Sequence, residues 1–442
     1  MGYVNMKKFN KDKYLKKLRF KKYKRYLYMG IPCILVLLIG IYFAYSKFSV
    51  FREEEVVRTT VGDFISEDDV IGAYIDGEYS TTIPGKNDGY VVKIVSCDNN
   101  ATGSWDNDAW GIVLTNMTKR TKCNIYFETK KPSLTETITT AMNSNASMFA
   151  SDDPGKNVRY IGANPNNYVY FNCSDYNNPT ADTCELWRII GVFNNVTKRD
   201  GSKENLVKII RDESIGRYSW DSSDSSVNNG YGLSDWTDAD VMKLLNPGYD
   251  SKGGSLYYNA KSGTCYAGSN NITISCSFTS TGLKNDITRN AIEEVVWNLG
   301  GTDAYYTSTA SMFYTAERGT TVYSGRPTTW TGKIGLMYPS DYGYATSGGT
   351  TKDRAACLAK ELYNWSDFSD CKGNDYLSDT NNSQWTLTPR SGIVHYAFLS
   401  GGNVYGTPVN ALDAVRPTLF LKSSISVGSG NGTSTSPYKL EM

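Results

Sequence analysis

Histidine is almost absent from this chain: His395 is the single one in 442 residues. No multi-histidine zinc site can form, and cysteines locked in disulfides cannot serve as ligands. A Ser–His–Asp arrangement would have to use this one ring, yet no Gly-x-Ser-x-Gly elbow occurs. Ser391 lies four residues before it on an expected turn; the plainer reading makes His395 a half-buried strand residue beside Tyr396. Nucleotide loops are missing as well. The run from Gly428 to Gly432 follows an expected strand but opens no helix. The stretch Asp379–Ser383 resembles the start of a calcium loop, but it lacks the glycine and the closing glutamate. No cofactor and no metal are expected.

Cysteine is missing from the first 32 residues and then strongly patterned. Cys33 lies inside an apolar run; the other eight form four close pairs, Cys97/Cys123, Cys173/Cys184, Cys265/Cys276 and Cys357/Cys371. An even, closely spaced set beyond a membrane segment reads as a disulfide framework in an oxidising space. Short loops between strand neighbours make pairing in sequence order the simplest of the connectivities, with Cys33 a free thiol.

The apolar run Leu27–Ser46 carries no charge. Twenty helical residues span about 30 Å, the thickness of a hydrocarbon core. Tyr26, Tyr28, Tyr42 and Tyr45 stand at or near its ends, as interfacial aromatics do. Residues 1–25 hold eleven Lys/Arg and one acid, Asp12, a local charge of +10, which leaves the rest of the +1 chain at −9. That asymmetry predicts a cytoplasmic tail (1–26), a single transmembrane helix (27–46) in contact with the lipid bilayer, and extracellular domains after it. Ala44-Tyr45-Ser46 would suit signal-peptide cleavage, but the apolar core exceeds the roughly 7–15 residues of a signal peptide and favours an uncleaved anchor. A basic run beside a membrane span is a topology determinant near anionic lipid, so nucleic acid is not an expected partner.

Leucine is scarce beyond the anchor, while Tyr (33), Gly (40), Asn, Ser and Thr abound. Tyrosine suits half-buried strands, and glycine and asparagine suit tight turns, which predicts an α+β, β-rich body. The expected order is a charged stalk (47–69), a small disulfide-linked antiparallel β domain (70–127), a polar linker (128–153) with a short helix at 133–142, a larger α+β domain (154–425) and a Gly/Ser-rich tail (426–442). Within the large domain helices are expected at 234–245, 286–299 and 353–365, among strands near 168–171, 186–193, 206–211, 334–338, 397–400 and 415–421.

The large domain's landmarks run GANPNNYVYFN, LWRIIGVF, VKIIRDESIGRYSWD, DWTDADVMKLLN, GKIGLMYPSDYGYA, WTLTPRSG and VRPTLFLKSS. In this order they resemble membrane-anchored surface proteins of Gram-positive gut bacteria. The large domain of those proteins is similar to the C-type-lectin-like fold of formylglycine-generating enzymes and of the Fibrobacter major paralogous proteins. The resemblance implies a fold rather than an activity. The calcium-binding tripeptide and the Trp-Asn-Asp of calcium-dependent lectins are missing from this domain, and Cys357 and Cys371 show no sign of an activated pair.

In a C-type-lectin-like fold the late loops converge on one face, which makes Tyr338, Asp341, Tyr342, Tyr344, Trp385 and Arg390 candidate ligand-binding residues: aromatics to stack, Asp and Arg to orient. The competing reading has these aromatics filling the core of a leucine-poor domain. Carboxylates that could hydrolyse sugars include Glu293/Glu294, Asp341, Asp379 and Asp413, with no spacing rule that selects a pair. The expected function is a non-enzymatic, membrane-anchored binding or adhesion protein for an extracellular glycan or protein. A carboxylate-based surface hydrolase or modifying enzyme and a structural envelope spacer are the alternatives.

Overall fold

The structure, a computed structural model, describes residues 57–59, 70–117, 120–250, 253–378 and 383–442. The basic tail, the apolar run with Cys33, most of the stalk and Asp379 lie outside the described residues. Among the described residues no helix is long and apolar enough to cross a membrane. The described residues are β-rich, with 35% in strands and 17% in helices. It divides into two compact units that meet in sequence at Lys130/Lys131.

The first unit holds two small sheets. One has the order Glu78–Ser80, Val70–Ile75, Lys122–Thr129, Tyr90–Cys97; the other places Gly111–Thr115 between Val57–Thr59 and Thr102–Asp106. Neither is purely antiparallel, contrary to expectation: Val70–Ile75 runs parallel to Lys122–Thr129, and Val57–Thr59 parallel to Gly111–Thr115. Alternating hydrophobicity reports which face of a strand is buried but not its direction, so the sequence pattern could not reveal this. The stretch 72–83, which reads as one strand, is a hairpin turned at Asp76-Gly77. Both turn residues have positive φ (49° and 91°), the backbone that Asp-Gly hairpins supply. Cys97 and Cys123 face each other directly across two antiparallel strands and are bonded. At Gly103 any Cβ would lie 2.5 Å from Val95 and 2.8 Å from Cys97 Sγ, so only glycine permits this close approach. The core is small: Ala73, Ile112, Leu114, Cys123, Ile125 and Phe127 are its buried apolar residues, with Trp105 and Trp110 packed beside them.

The second unit is built on a main sheet. Its path runs Ile334–Gly335, Thr418–Leu421, Lys203–Arg211, Glu185–Thr197, Tyr168–Phe171, Tyr438–Glu441, Ser426–Ser429; Val158–Tyr160 pairs alongside the second half of Glu185–Thr197. A second sheet has the order Arg217–Tyr218, Asp413–Ala414, Gln384–Pro389, Tyr396–Ser400, Val404–Pro408. Six tryptophans, at 187, 220, 236, 297, 365 and 385, are fully buried. Aromatic rings occupy the volume that leucine fills elsewhere.

Two boundaries differ from the sequence reading. Residues 131–153 are no linker. Ser133 and Glu136 form a capping box that starts a helix at Leu134–Ser144, and Leu134 and Ile138 are buried in the large core. Residues 426–442 are no tail either, because Ser426–Ser429 and Tyr438–Glu441 complete the main sheet. All three helices expected in the large domain are shorter than the sequence suggests. Asp286–Ala291 gives way to a strand at Val295–Asn298, where β-branched Val295 and Val296 precede Trp297. Arg354–Leu358 is followed by a 3₁₀ segment at Leu362–Asp367. The helix over 234–245 shortens to Asp240–Leu245, ending before Asn246-Pro247-Gly248 as expected. All four disulfides join in sequence order: Cys97–Cys123, Cys173–Cys184, Cys265–Cys276 and Cys357–Cys371.

Candidate functional site

The six candidate residues separate into core and surface. Tyr338, Asp341, Tyr342 and Tyr344 lie on or beside the short helix Pro339–Tyr344 and are at most 3% exposed; Trp385 is 1% exposed. None of these five can stack on a ligand at the surface. Trp385 Nε1 donates to the Tyr218 carbonyl at 2.8 Å, and Tyr342 packs on Trp365 with centroids 5.3 Å apart. The motif Tyr338–Tyr344 reads as an exposed strand-to-loop junction because it is half tyrosine and glycine. Its rings face inward because so little aliphatic volume competes for the interior. Arg390 alone reaches the surface.

Asp341 is the hub of a buried ionic network. It accepts from Arg159 Nη1 at 2.8 Å and from Lys208 Nζ at 2.5 Å, and Arg159 Nε reaches Asp153 at 2.5 Å. Burial alone would raise the Asp341 carboxyl, but the Lys208 ammonium and the Arg159 guanidinium outweigh it and hold the carboxyl well below the usual range. Burial pulls Lys208 down to about 8 against the pull of Asp341. Beside them Glu317, fully buried, accepts from the Ser340 amide and hydroxyl and pairs with Arg318 at 3.0 Å. Burial pushes Glu317 up to about 7 despite Arg318.

At the surface Arg390 belongs to a strip of contacting rings. Tyr231 stacks on His395 with centroids 5.2 Å apart, and His395 meets the edge of Tyr396 at 5.1 Å. The Arg390 guanidinium carbon lies 5.4 Å from the Tyr396 centroid and 4.8 Å from that of Tyr305. Tyr305 contacts Tyr306 at 4.0 Å, and Tyr306 contacts Tyr363 at 4.5 Å. Arg390 is oriented by Asp303, with Nε at 2.9 Å from Oδ1. Tyr306 is 54% and Tyr231 39% exposed, while Tyr305 is 5% and the Arg390 side chain 12%, so the strip offers ring surface at two places with Asp303 and the edge of Arg390 near Tyr306. Single exposed apolar residues carry no meaning, but a contiguous aromatic run with a central Arg is the composition of recognition surfaces. Sequence reading missed Tyr231, Tyr305, Tyr306 and Tyr363. The signal available was the Tyr305-Tyr306 doublet in a polar loop that follows Gly300-Gly301.

Among the described residues the carboxylates singled out from sequence are spent on separate basic partners. Glu294 pairs with Arg199, Asp413 with Arg217, and Asp341 is spent on Arg159 and Lys208. A pair that sequence reading missed is Asp221/Asp240: Asp221 accepts the Asp240 and Leu233 amides, and Asp240 accepts the Ser222 amide. Burial raises both carboxyls, and for Asp240 the neighbouring Asp221 charge adds to it. Among the described residues no group of three or more His, Cys, Asp or Glu is placed to hold a metal ion. No protein-family model, curated protein or solved structure matches the chain.

Raised carboxyls give the fold a pH dependence. Burial lifts Asp375 to about 8, Glu317 to about 7 and Asp413 to about 6. Each binds a proton in the folded state over a range where the unfolded chain, near pH 4, has released it. The folded state therefore holds more protons between about pH 4 and pH 8, and stability falls as pH rises through that window. His395, lowered by burial, opposes this weakly because its ring is partly exposed. Asp375 Oδ2 is buried with no hydrogen-bond partner among the described residues, which disfavours the charged form in the folded state. The urea midpoint should be higher at pH 5.5 than at pH 8, and Asp375→Asn should flatten that slope. A midpoint that climbs from pH 5.5 to 8 would contradict the assignment.

Proposed function

We infer that the chain is a membrane-anchored, non-catalytic surface protein whose large unit binds an extracellular glycan or peptide through the Tyr231–Tyr363 strip. The strip is the observation that carries the reading. Ring faces supply stacking area at low entropic cost, and the Arg390–Asp303 pair supplies oriented hydrogen bonds. The charge asymmetry around the apolar run, the four disulfides and the C-type-lectin-like order of landmarks support an extracellular location and a binding role.

Glycan and peptide arrays probed with the full chain in detergent test this. Tyr306→Ala and Arg390→Ala should each weaken binding roughly tenfold or more, the scale of a buried hot-spot contact, with the thermal midpoint little changed. Trp385→Ala and Tyr342→Ala should instead lower the midpoint, since both rings are core. Binding indifferent to Tyr306 and Arg390 would reject the strip as the site. The hydrolase alternative draws on the neighbouring Asp221 and Asp240 carboxylates; turnover of an array glycan that Asp240→Asn abolishes would favour it. Silence in both assays would favour the envelope spacer.

A further inference from the structure

A cavity lies at the bulge in the longest strand among the described residues. Between Phe193 and Val196 the pairing of Glu185–Thr197 with Lys203–Arg211 slips register, and Asn195 takes a left-handed backbone, φ 53°. The slip takes two amides out of the ladder. The Asn194 amide donates to Asn157 Oδ1 at 2.8 Å and the Asn195 amide to Asn205 Oδ1 at 3.0 Å. Bulges of this kind re-aim side chains and are common beside binding sites. Here the bulge borders a cavity of about 140 Å³, room for roughly five waters at about 30 Å³ each.

The cavity has a cationic, aromatic floor. Lys208 is 0% exposed, and its ammonium lies 4.4 Å from the Tyr338 centroid and 5.4 Å from that of Trp297. Asp341 is the one hydrogen-bond partner of Lys208 Nζ among the described residues, so two of its three N–H donors are unspent. Arg318 lies at the rim with its guanidinium carbon 5.4 Å from the same Tyr338 ring. Its Nη1 serves Glu317 and the Tyr314 carbonyl, while Nε and Nη2 have no partner among the described residues. The Asn298 backbone is tied to the Tyr338 hydroxyl through both its amide and its carbonyl, and its side-chain amide makes no bond among the described residues. The cavity thus has an unspent guanidinium edge at its rim and asparagine side chains along its wall.

We propose that this cavity binds a small organic carboxylate, held by the Arg318 guanidinium at the rim, with the Lys208 ammonium behind the cavity wall adding positive charge. Arg presents paired donors that match a carboxylate, and the charge of a desolvated ammonium adds to it. The surrounding charge agrees. Three acids (Asp153, Asp341, Glu317) face three bases (Arg159, Lys208, Arg318), and proton uptake by Glu317 leaves an uncompensated cation for the ligand. The carboxylate is either a free acid or the acidic residue of a glycan chain, and the two share the recognition chemistry.

Titration of the full chain in detergent micelles at pH 6.5, followed by tryptophan fluorescence and by thermal midpoint, tests this. The probes are benzoate, benzamide and a glucuronic-acid-terminated disaccharide with its neutral glucose counterpart. Benzoate or the acidic disaccharide should bind and raise the midpoint, and their uncharged counterparts should not; which of the two acids binds identifies the source. Arg318→Gln should weaken binding at least tenfold. Thr197→Trp, which fills the cavity mouth from a half-exposed strand position and leaves every charge in place, should abolish it. Equal responses to acid and amide, or an Arg318→Gln and a Thr197→Trp protein that bind like the parent, would overturn the proposal. Loss of strip binding by Tyr306→Ala should leave this titration unchanged.

Discussion

Asp341→Ala should destabilise the large unit by roughly 3–5 kcal/mol, the cost of removing one partner from a buried ion network. Arg159 and Lys208 are 1% and 0% exposed and share this carboxylate. Without it Arg159 keeps Asp153, but Lys208 loses its one anionic contact among the described residues. Asp341 also accepts the Tyr338 amide at 3.0 Å, so the start of the helix Pro339–Tyr344 loses a cap as well. Asp341→Asn keeps an acceptor for that amide and should cost less. The double variant Asp341→Leu/Lys208→Met removes the Lys208 charge along with the carboxylate and should regain part of the loss, the remainder being the Arg159 Nη1 and Tyr338 amide donors left without their acceptor.

Urea denaturation followed by circular dichroism separates these cases. The sign with pH is fixed by the lowered carboxyl: its contribution is present above the unfolded value near 4 and is lost as pH falls below it. The gap between parent and Asp341→Ala should therefore be wide at pH 7 and narrow towards pH 3. A loss under about 1 kcal/mol at pH 7 would mean that the three charges are solvated well enough to act as a surface pair.

What could be read from sequence divides along physical lines. Strands with strong local signals, such as Glu185–Thr197 and Lys203–Arg211, are legible because their apolar runs are long and β-branched. The disulfide order is legible too, because each pair bridges neighbouring segments. Strand direction in the small unit is not legible, since period-2 alternation is the same for parallel and antiparallel neighbours. The polar stretch 131–153 gives a capping-box signal at Ser133 and Glu136, but its burial depends on only two side chains, Leu134 and Ile138. The site residues fared worst for one reason. In a leucine-poor chain the same residue type, tyrosine, fills the core at 338, 342 and 344 and decorates the surface at 231 and 306, and composition cannot tell them apart. The buried charges Arg159 and Lys208 sit on strands far from Asp341 in sequence, so their convergence is a property of the fold alone.

The small unit should be far more dependent on its disulfide than the large unit is on any of its three. Cys97–Cys123 closes 26 residues, worth roughly 3–4 kcal/mol of denatured-chain entropy; the large unit's bridges close 11, 11 and 14 residues, a difference of under about 1 kcal/mol each. Loop length therefore does not decide the outcome. The folded remainder does. Among the described residues six buried apolar side chains, one of them Cys123 itself, form the small unit's core, and a domain of about 60 residues has little stability beyond its staples. The large unit keeps a core with six buried tryptophans whichever bridge is cut. Cys97→Ala/Cys123→Ala should leave the region before Lys130 open to protease at 25 °C, while the chain from Lys131 onward persists as a resistant fragment. The corresponding Ala pairs at Cys173/Cys184 and Cys265/Cys276 should lower the large unit's midpoint without exposing it to cleavage at that temperature. A small unit that stays resistant without its bridge would show that its two sheets, joined at Gly103 and by Trp105 and Trp110, bury enough surface to fold unaided.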